Sequence, residues 1–592
     1  MTGDDILIIG AGIAGIAAGR ALQAMGYRVR ILEARSRIGG RIHSEGGFDY
    51  GAHWIHGTEG NPLTNLARNL GLPLYFVGGD SSYTGSWERL RFAVGKDKDA
   101  SIIAADRVAD ELDGIRAEGG ASLSLADSFD QAVKRLGLSG AALEEARWHQ
   151  TLIVREDCGT DADRLSASYW DEGYEVYGYG DSLFLGGFAS LTKALGRDLA
   201  IELDCEVTAI HHSRNGVEVE TGKGHFRADK VIVTVPLGVL KAGSIVFDPA
   251  LPAEKQAAIN RLGFGTLAKL GLRFDTPFWP EQGYCFGLKA GRFDGPTIMV
   301  SNYAFTGKPD IVLLTGGSAG MRLEAMSEID AVSQAMGHLR AEFGDSVPEP
   351  VAVCRTGWSL DPFARGSYAH VAVGSRPLDF AILGTPVGDT LFFAGEATSD
   401  SQWATAHGAY VSGLREAARI SGDLAIMPPR NFTENRRWRD QLARASRFFN
   451  LRIAELPADQ ITARTELLYS CPAFAGINIT ELRLLATMFE ERQLAAGEWL
   501  CHGGDSAEHA WLVMAGKLDI LHADSTTPVA TLGPGSLSGE YGLFHEARRT
   551  ASMRAKTKVT VLALDYPRFH RFLLTFPQAS LALLKTVIER SA

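Results

Sequence analysis

The sequence is poor in the features that hold small secreted or metal-dependent folds together. Its six cysteines, Cys158, Cys205, Cys285, Cys354, Cys471 and Cys501, are scattered and include no C-x-x-C pair. That spacing suggests neither a disulfide framework nor a zinc site, and reduced thiols are the default. No run of about 18 apolar residues occurs, so a bilayer-spanning helix and a membrane partner are not expected. Only Met1 to Asp5 precede the first apolar strand, which leaves no room for a basic segment with a cleavage site; a cytoplasmic location is therefore expected. A basic excess is missing too. The net charge of -11 disfavours nucleic acid as a partner and mildly favours small cations through long-range attraction. No repeat of solenoid length and no low-complexity tract is found.

What is present is enough for several cores. The 592 residues, with 45% hydrophobic and 22% charged side chains, exceed one ordinary domain and have the composition of a globular chain. Ile6 to Ile9 form a short apolar run, Gly10 to Gly15 a glycine-rich turn, Ile16 to Met25 a small-residue helix and Arg28 to Leu32 a second strand, a βαβ unit. Lys230 to Val235 and Thr390 to Phe393 read as further buried strands that rejoin the first sheet, so the intervening stretches are expected to make a second, substrate-facing domain. The predicted boundaries are 1–57, 186–274 and 351–424 for a discontinuous α/β Rossmann-type domain, and 58–185 with 275–350 for an interleaved α+β domain. Past Pro428 and Pro429, the helical spacing of Trp438, Leu442, Ala445, Phe449 and Ile453 predicts a linker helix within 425–461. From 462 to 592, short strands separated by Gly497, Gly503, Gly504, Gly516, Gly533 and Gly535 predict a β sandwich or jelly roll.

Gly10, Gly12 and Gly15 make a G-x-G-x-x-G pattern between a strand and a helix. There the missing side chains permit a tight turn, close approach of a pyrophosphate and tight helix packing, with the helix N-terminus facing the phosphates. Glu33 ends the second strand, where a carboxylate can accept ribose hydroxyls and disfavours a 2′-phosphate.

The residues that follow, Glu33-Ala34-Arg35-Ser36-Arg37-Ile38-Gly39-Gly40-Arg41, resemble the signature of the flavin amine oxidases. Far downstream, Phe393-Ala394-Gly395-Glu396-Ala397-Thr398 and the segment from His407 to Ala417 resemble that family's second FAD-binding signature. The resemblance implies FAD held by Gly10, Gly12, Gly15, Glu33, Arg35, Gly40, Arg41, Val207, Gly395, Glu396 and Thr405. Glu396 would meet the ribityl chain, and the helix beginning near Thr405 would point its N-terminus at the isoalloxazine, favouring negative charge there.

The stretch from Phe48 to Gly57 is similar to the polyamine oxidase version of the segment lining flavin and substrate, and the family's active-site histidine falls on His56. No arginine occurs between Phe48 and Gly57, where L-amino acid oxidases commonly carry one for a substrate carboxylate. Trp358 to Tyr368 resembles the matching segment of polyamine oxidases and flavin histone demethylases. Ser367 stands where monoamine oxidases attach flavin through cysteine, so the implied FAD is non-covalent. Tyr368 and Trp403 are candidate aromatic walls for an amine, and Tyr169 to Glu175 mixes aromatics with carboxylates as a polycation channel or a solvated acidic loop would. Leu262 to Lys269 resembles the strand carrying the family lysine that contacts flavin N5 through water. Alternation puts Lys269 on the face of Arg273, so pattern alone reads it as a surface lysine.

Gly539-Glu540-Tyr541-Gly542-Leu543 followed by Arg548 to Ala555 resembles the phosphate-binding cassette of cyclic-nucleotide-binding domains. The resemblance implies that Glu540 holds a ribose 2′-hydroxyl and Arg549 the cyclic phosphate, beside Gly539 and Thr550, with cAMP and cGMP both open. Regulation, localisation or dimerisation is the role left for such a module, so a homodimer is among the expectations. Together these resemblances imply hydride transfer from an amine, foremost a polyamine, to flavin N5, with O2 as the second substrate and peroxide as a product. No metal is required. A monoamine or L-amino acid oxidase is the alternative, a protein-lysine demethylase a further one. A non-catalytic nucleotide-sensing protein on a flavoprotein scaffold is the rival from another class.

Overall fold

The computed structural model describes residues 4–78, 90–91, 122–429 and 453–584, except 179, 280–283, 290–293, 302, 455, 475–478, 523–526, 544–547, 576–579 and 581–582. Most of 107–115, together with 433–434, 446 and 451, is described as well. The chain divides into two compact units, residues 1–436 and 437–592.

The first unit is built on a parallel sheet of five strands in the order Ile201–Glu202, Arg28–Leu32, Asp5–Ile9, Lys230–Val233 and Leu391–Phe393. Ile6, Leu7, Ile8 and Ile9 are all buried, as strands covered on both faces must be, which is why they read as an unbroken apolar run. Helix Ile13–Ala24 lies against this sheet at very short range. A Cβ on Gly15 would fall 2.1 Å from the Gly10 carbonyl oxygen, so only glycine permits the approach. Helix Ala406–Ser421 crosses the first helix just as closely, since a Cβ on Gly413 would fall 2.1 Å from the Ala14 carbonyl oxygen. Chain segments nearly 400 residues apart in sequence thus share one layer.

A second sheet of six strands follows the order Ala352–Arg355, Leu267–Arg273, Asp310–Gly316, Ile298–Ser301, Cys285–Gly287 and Leu90–Arg91. Here the boundaries expected at 274 and 351 differ from the structure. Leu267–Arg273 pairs along its whole length with Asp310–Gly316, and Ala352–Arg355 pairs on its other side, so both strands belong to this sheet. An apolar strand's sequence does not say which of two buried sheets its backbone will join.

Residues 425–436 go with the first unit, where Thr433–Glu434 pairs with Glu175–Val176. Of the predicted linker helix, Trp438, Leu442, Ala445 and Phe449 lie outside the described residues, and Ile453 packs on the core of the second unit.

The second unit holds two antiparallel four-stranded sheets. One runs Glu490–Leu494, Val559–Asp565, His509–Ala515, Leu537–Ser538, and the other Trp499–Cys501, Ser552–Ala555, Leu518–Leu521, Ala530–Leu532. Helices Ala458–Ser470 and Ile479–Met488 precede this jelly roll and Tyr566–Thr575 follows it. Leu512, Leu562 and Leu564 pack with Leu485, Phe489, Phe569 and Phe572 in its main core.

Candidate active site

One cavity of about 370 Å³ runs through the first unit. At one end it is a cradle for a dinucleotide. Gly10 takes φ +104°, and a Cβ there would sit 2.7 Å from Thr234 Oγ1. A Cβ on Gly12, in contrast, would meet no atom within 4 Å, because Gly12 borders the cavity itself. The helix that starts after Gly12 has no side-chain cap and no acid in its first turn, so its free N–H groups and positive end are left for an anion. Glu33 is fixed beside it: its carboxylate accepts the Ala11 N–H at 2.7 Å and the Arg35 N–H at 2.9 Å. Arg35 in turn pairs with Asp361 at 2.7 Å. Gly40 packs on the first turn, with the site of its missing Cβ 3.5 Å from Gly12 Cα, and Val207 also lines the cavity.

The second signature closes onto the first. Arg41 Nη1 donates to Glu396 Oε1 at 3.0 Å and to the Ser367 carbonyl at 2.6 Å. The other oxygen of Glu396 accepts the N–H groups of Ala404 at 2.9 Å and Ala369 at 3.3 Å. Gly395 keeps φ +123°. Thr405 caps helix Ala406–Ser421 by accepting the Gly408 N–H at 2.9 Å, and both Thr405 and Ala406 line the cavity. Open space at Gly12, uncapped amides and a fixed ribose-side carboxylate are the fittings an FAD requires.

Beyond the cradle the cavity becomes a chamber. Strand Ile55–His56 pairs with Asp181–Phe184, setting His56 opposite Asp181. The His56 Nδ1 lies 3.3 Å from an Asp181 oxygen. Burial works to lower the pKa of His56, yet the Asp181 carboxylate prevails and the net shift is upward. Lys269 is 6% exposed, and its Nζ donates to the carbonyls of Gly51 at 2.6 Å and Asp49 at 3.1 Å. Burial lowers its pKa to about 8. The segment around Phe48 to Trp54 lies over the face it shares with Arg273, burying Lys269 while the Arg273 side chain stays 31% exposed. Tyr368 lines the chamber and donates its hydroxyl to the Glu156 carbonyl at 2.5 Å. Trp403 is 4% exposed, stacked on Phe380 at 5.0 Å and edge-on to Tyr174 at 4.9 Å, so it is at once core and wall. Of Tyr169 to Glu175, the aromatic Trp170 and Tyr174 line the cavity and the carboxylates do not. All the predicted catalytic and cofactor positions line this one cavity except Gly15, whose task is the helix packing described above.

Comparison with known families then decides the matter. The model described as flavin containing amine oxidoreductase matches residues 13–421. The chain belongs to this family. Among relatives, it is 37% identical over 443 residues to Lysine-specific histone demethylase 1 homolog 2 of Arabidopsis thaliana, covering 71% of this chain and 58% of that protein. It is 36% identical over 435 residues to Polyamine oxidase 2 of the same plant, covering 70% of this chain and 87% of that protein. The chain thus spans less than two thirds of the histone demethylase homologue. Among solved structures, putrescine oxidase bound to putrescine has a TM-score of 0.57 at 21% identity, over 71% of this chain and 99% of that one. The fold of the first unit is that of the FAD-dependent amine oxidases, and FAD is the cofactor its cradle fits.

In the second unit a cyclic nucleotide-binding domain matches residues 491–576. Glu540 opens a short 3-10 helix and is buried; Arg549 is buried and Thr550 exposed. Gly539 has φ +85° and the site of its missing Cβ is 2.8 Å from Arg549 Nη1, so glycine and arginine of the cassette come together. The Arg549 guanidinium lies 3.8 Å from the centre of the Trp511 ring and donates to the His509 carbonyl at 2.7 Å. Residues 544–547 of the cassette lie outside the described residues.

Two chamber residues escaped the sequence reading. Glu156 and Asp157, at the end of helix Gly140–Cys158, both line the cavity. Glu156 Oε1 accepts from Thr297 Oγ1 at 2.5 Å, while Glu156 Oε2 and Asp157 Oδ2 are buried with no hydrogen-bond partner among the described residues. The available signal was their helical spacing, since Glu156 lies four residues past the cavity-lining Leu152 and Asp157 four past the cavity-lining Ile153.

Proposed function

We propose that this chain oxidises an amine, foremost a polyamine, with FAD held non-covalently and O2 as electron acceptor, yielding an imine that water hydrolyses, and peroxide. The observation that carries this reading is the single cavity that passes from the cradle of Gly12 and Glu33 into the chamber of Lys269, Tyr368, Trp403 and His56. Bound FAD supplies the two-electron acceptor for the carbon next to nitrogen. The chain's own residues do the rest. Arg41 and Glu396 fix the cofactor side of the chamber, and Ser367, which carries no thiol, leaves the attachment non-covalent. The rings of Tyr368, Trp403, Trp54 and Tyr174 exclude water and favour the neutral amine, whose lone pair hydride loss requires. Lys269, anchored by two carbonyls, keeps a further N–H when protonated for a water between itself and the cofactor.

A protein lysine side chain as substrate is the second reading, supported by the 37% identity to a histone demethylase homologue. For the second unit, we propose that Arg549 and Glu540 bind cAMP or cGMP and that the bound nucleotide alters turnover. The test is peroxide release over spermine, spermidine, their acetylated forms and a methylated lysine peptide, with and without each nucleotide. Release with the polyamines supports the reading. Release only with the peptide would transfer it to the second one, and a rate indifferent to saturating nucleotide would remove the regulatory part.

A further inference from the structure

Asp49 and His53 stand four residues apart at the chamber, and each side chain is only 8% exposed. Three donors hold the Asp49 carboxylate. Its Oδ1 accepts from the Ser44 hydroxyl and from the Phe188 N–H at 3.0 Å, and its Oδ2 lies 3.0 Å from His53 Nδ1. Burial works to raise the pKa of Asp49, yet the bonds from His53 and Ser44 prevail and the net shift is downward, so the group is an anion at neutral pH. An ionised carboxylate only accepts. The proton of the neutral His53 ring therefore sits on Nδ1, and Nε2 keeps its lone pair. That nitrogen is buried with no hydrogen-bond partner among the described residues, and the ring borders the cavity. Burial lowers the pKa of His53; Asp49 opposes the shift, while Lys269 and His56 add to it. The other ionisable groups of the chamber are otherwise engaged. Lys269 donates to the carbonyls of Asp49 and Gly51, and Asp181 draws His56 toward its protonated form against the effect of burial. Glu156 and Asp157, raised by burial to about 8 and about 7, already carry protons over much of the neutral range. An imidazole with an acid on Nδ1 and an open Nε2 is the arrangement of a general base.

We propose that His53, oriented by Asp49, is the proton relay of the chamber: its Nε2 takes the proton that the reacting ammonium must lose and returns it to the peroxide. This rests on the amine-oxidising reading above and deepens it. The steps balance. An ammonium N–H bond breaks and an Nε2–H bond forms, with Asp49 compensating the imidazolium. The neutral amine then loses a hydride from carbon to the bound cofactor and becomes a protonated imine. O2 takes the two electrons and the proton of that hydride together with the proton on His53, which gives H2O2 and restores the neutral ring. Asp49 acts through His53 and is a positioning residue.

The test compares wild type with His53→Asn, whose amide N–H can still donate to Asp49 while the lone pair at the Nε2 position is gone, and with Asp49→Asn. Each protein is checked for its flavin-to-protein ratio. Anaerobic reduction of the holoenzymes by spermidine is followed from about pH 6.5 to about pH 10. At about pH 7 the His53→Asn rate is expected to fall on the order of a hundredfold. The deficit is expected to shrink as pH approaches the amine's own pKa of about 10, where the substrate needs no base. No deficit, or one equal at every pH, overturns the relay. A second readout needs no turnover: nitrogen NMR of 15N-histidine-labelled apoprotein, with the His53 signals assigned by their loss in His53→Asn. The expected wild-type ring is protonated at Nδ1 and bare at Nε2, and Asp49→Asn is expected to reverse this. A wild-type ring protonated at Nε2 overturns the relay while leaving the amine-oxidising reading intact. A wild type that no polyamine reduces, with the NMR as expected, overturns that reading and the relay with it.

Discussion

Gly12 and Gly15 stand three residues apart in one motif, yet the structure gives them opposite burdens, and alanine at each separates cofactor binding from folding. At Gly12 the backbone is extended with φ -73°, which any residue adopts, and a Cβ would touch nothing within 4 Å. Gly12→Ala is therefore expected to leave the apoprotein within about 0.5 kcal/mol of wild type. The added methyl projects into the cradle, so FAD affinity is expected to weaken at least about tenfold, or about 1.4 kcal/mol. At Gly15 the new Cβ would lie 2.1 Å from the Gly10 carbonyl oxygen and 3.1 Å from Ile8 Cγ2 and Thr234 Oγ1. A backbone oxygen cannot rotate aside, so the helix must lift from the sheet. Overpacking of this kind costs about 1–3 kcal/mol, more than the roughly 1 kcal/mol of helix propensity that alanine adds. The assay is thermal unfolding of each protein after flavin removal, followed by FAD titration of the refolded apoproteins. Bound ligand would otherwise add its own stabilisation. The reasoning is refuted if apo Gly12→Ala melts as low as Gly15→Ala, or if Gly12→Ala binds FAD as tightly as wild type.

Stability should also carry the mark of the buried acids. Because the folded pKa values of Glu156 and Asp157 are raised to about 8 and about 7, their stabilising contribution is complete below the unfolded carboxyl range near pH 4 and is lost as pH rises through 7 to 8. The Glu156→Gln, Asp157→Asn double variant is accordingly expected to gain stability relative to wild type between pH 5 and 8 in apoprotein melts, and a constant difference across that range would contradict it. In the second unit, Arg549→Ala is expected to weaken cAMP or cGMP binding by on the order of tenfold to a hundredfold. The Trp511 ring against Arg549 should report nucleotide binding as a fluorescence change in wild type that Trp511→Phe removes. Acid precipitation is expected to leave the flavin in the supernatant, and colour retained in the washed pellet would refute non-covalent binding.

The cradle was legible because its demands fall on backbone and on residues with few substitutes. A glycine pattern between an apolar strand and a helix, then Glu33 at a strand end, states its own geometry, and the structure shows Glu33 bonded to Ala11 in that turn. The meeting of the two signatures was legible only through resemblance, since no local pattern says that Gly413 will rest on Ala14. Lys269 shows how alternation misleads. Sharing a face with Arg273 makes it a surface residue only if water covers that face, and over Lys269 the chain around Phe48 to Trp54 does so instead. Glu156 and Asp157 were invisible for the converse reason. Acids near a helix end look solvated until tertiary packing encloses them. Arg549 and Glu540 were placed in the cassette by resemblance, whereas the Trp511 ring beneath the guanidinium comes from a strand nearly 40 residues earlier and carries no local sign of that contact.

The most direct measurement is the visible flavin absorbance when the protein, freed of oxygen, is mixed with spermidine. Loss of the oxidised flavin bands, reversed on admitting air with release of peroxide, is the predicted result. A yellow protein whose spectrum stays unbleached with spermidine and with every other polyamine offered would contradict it.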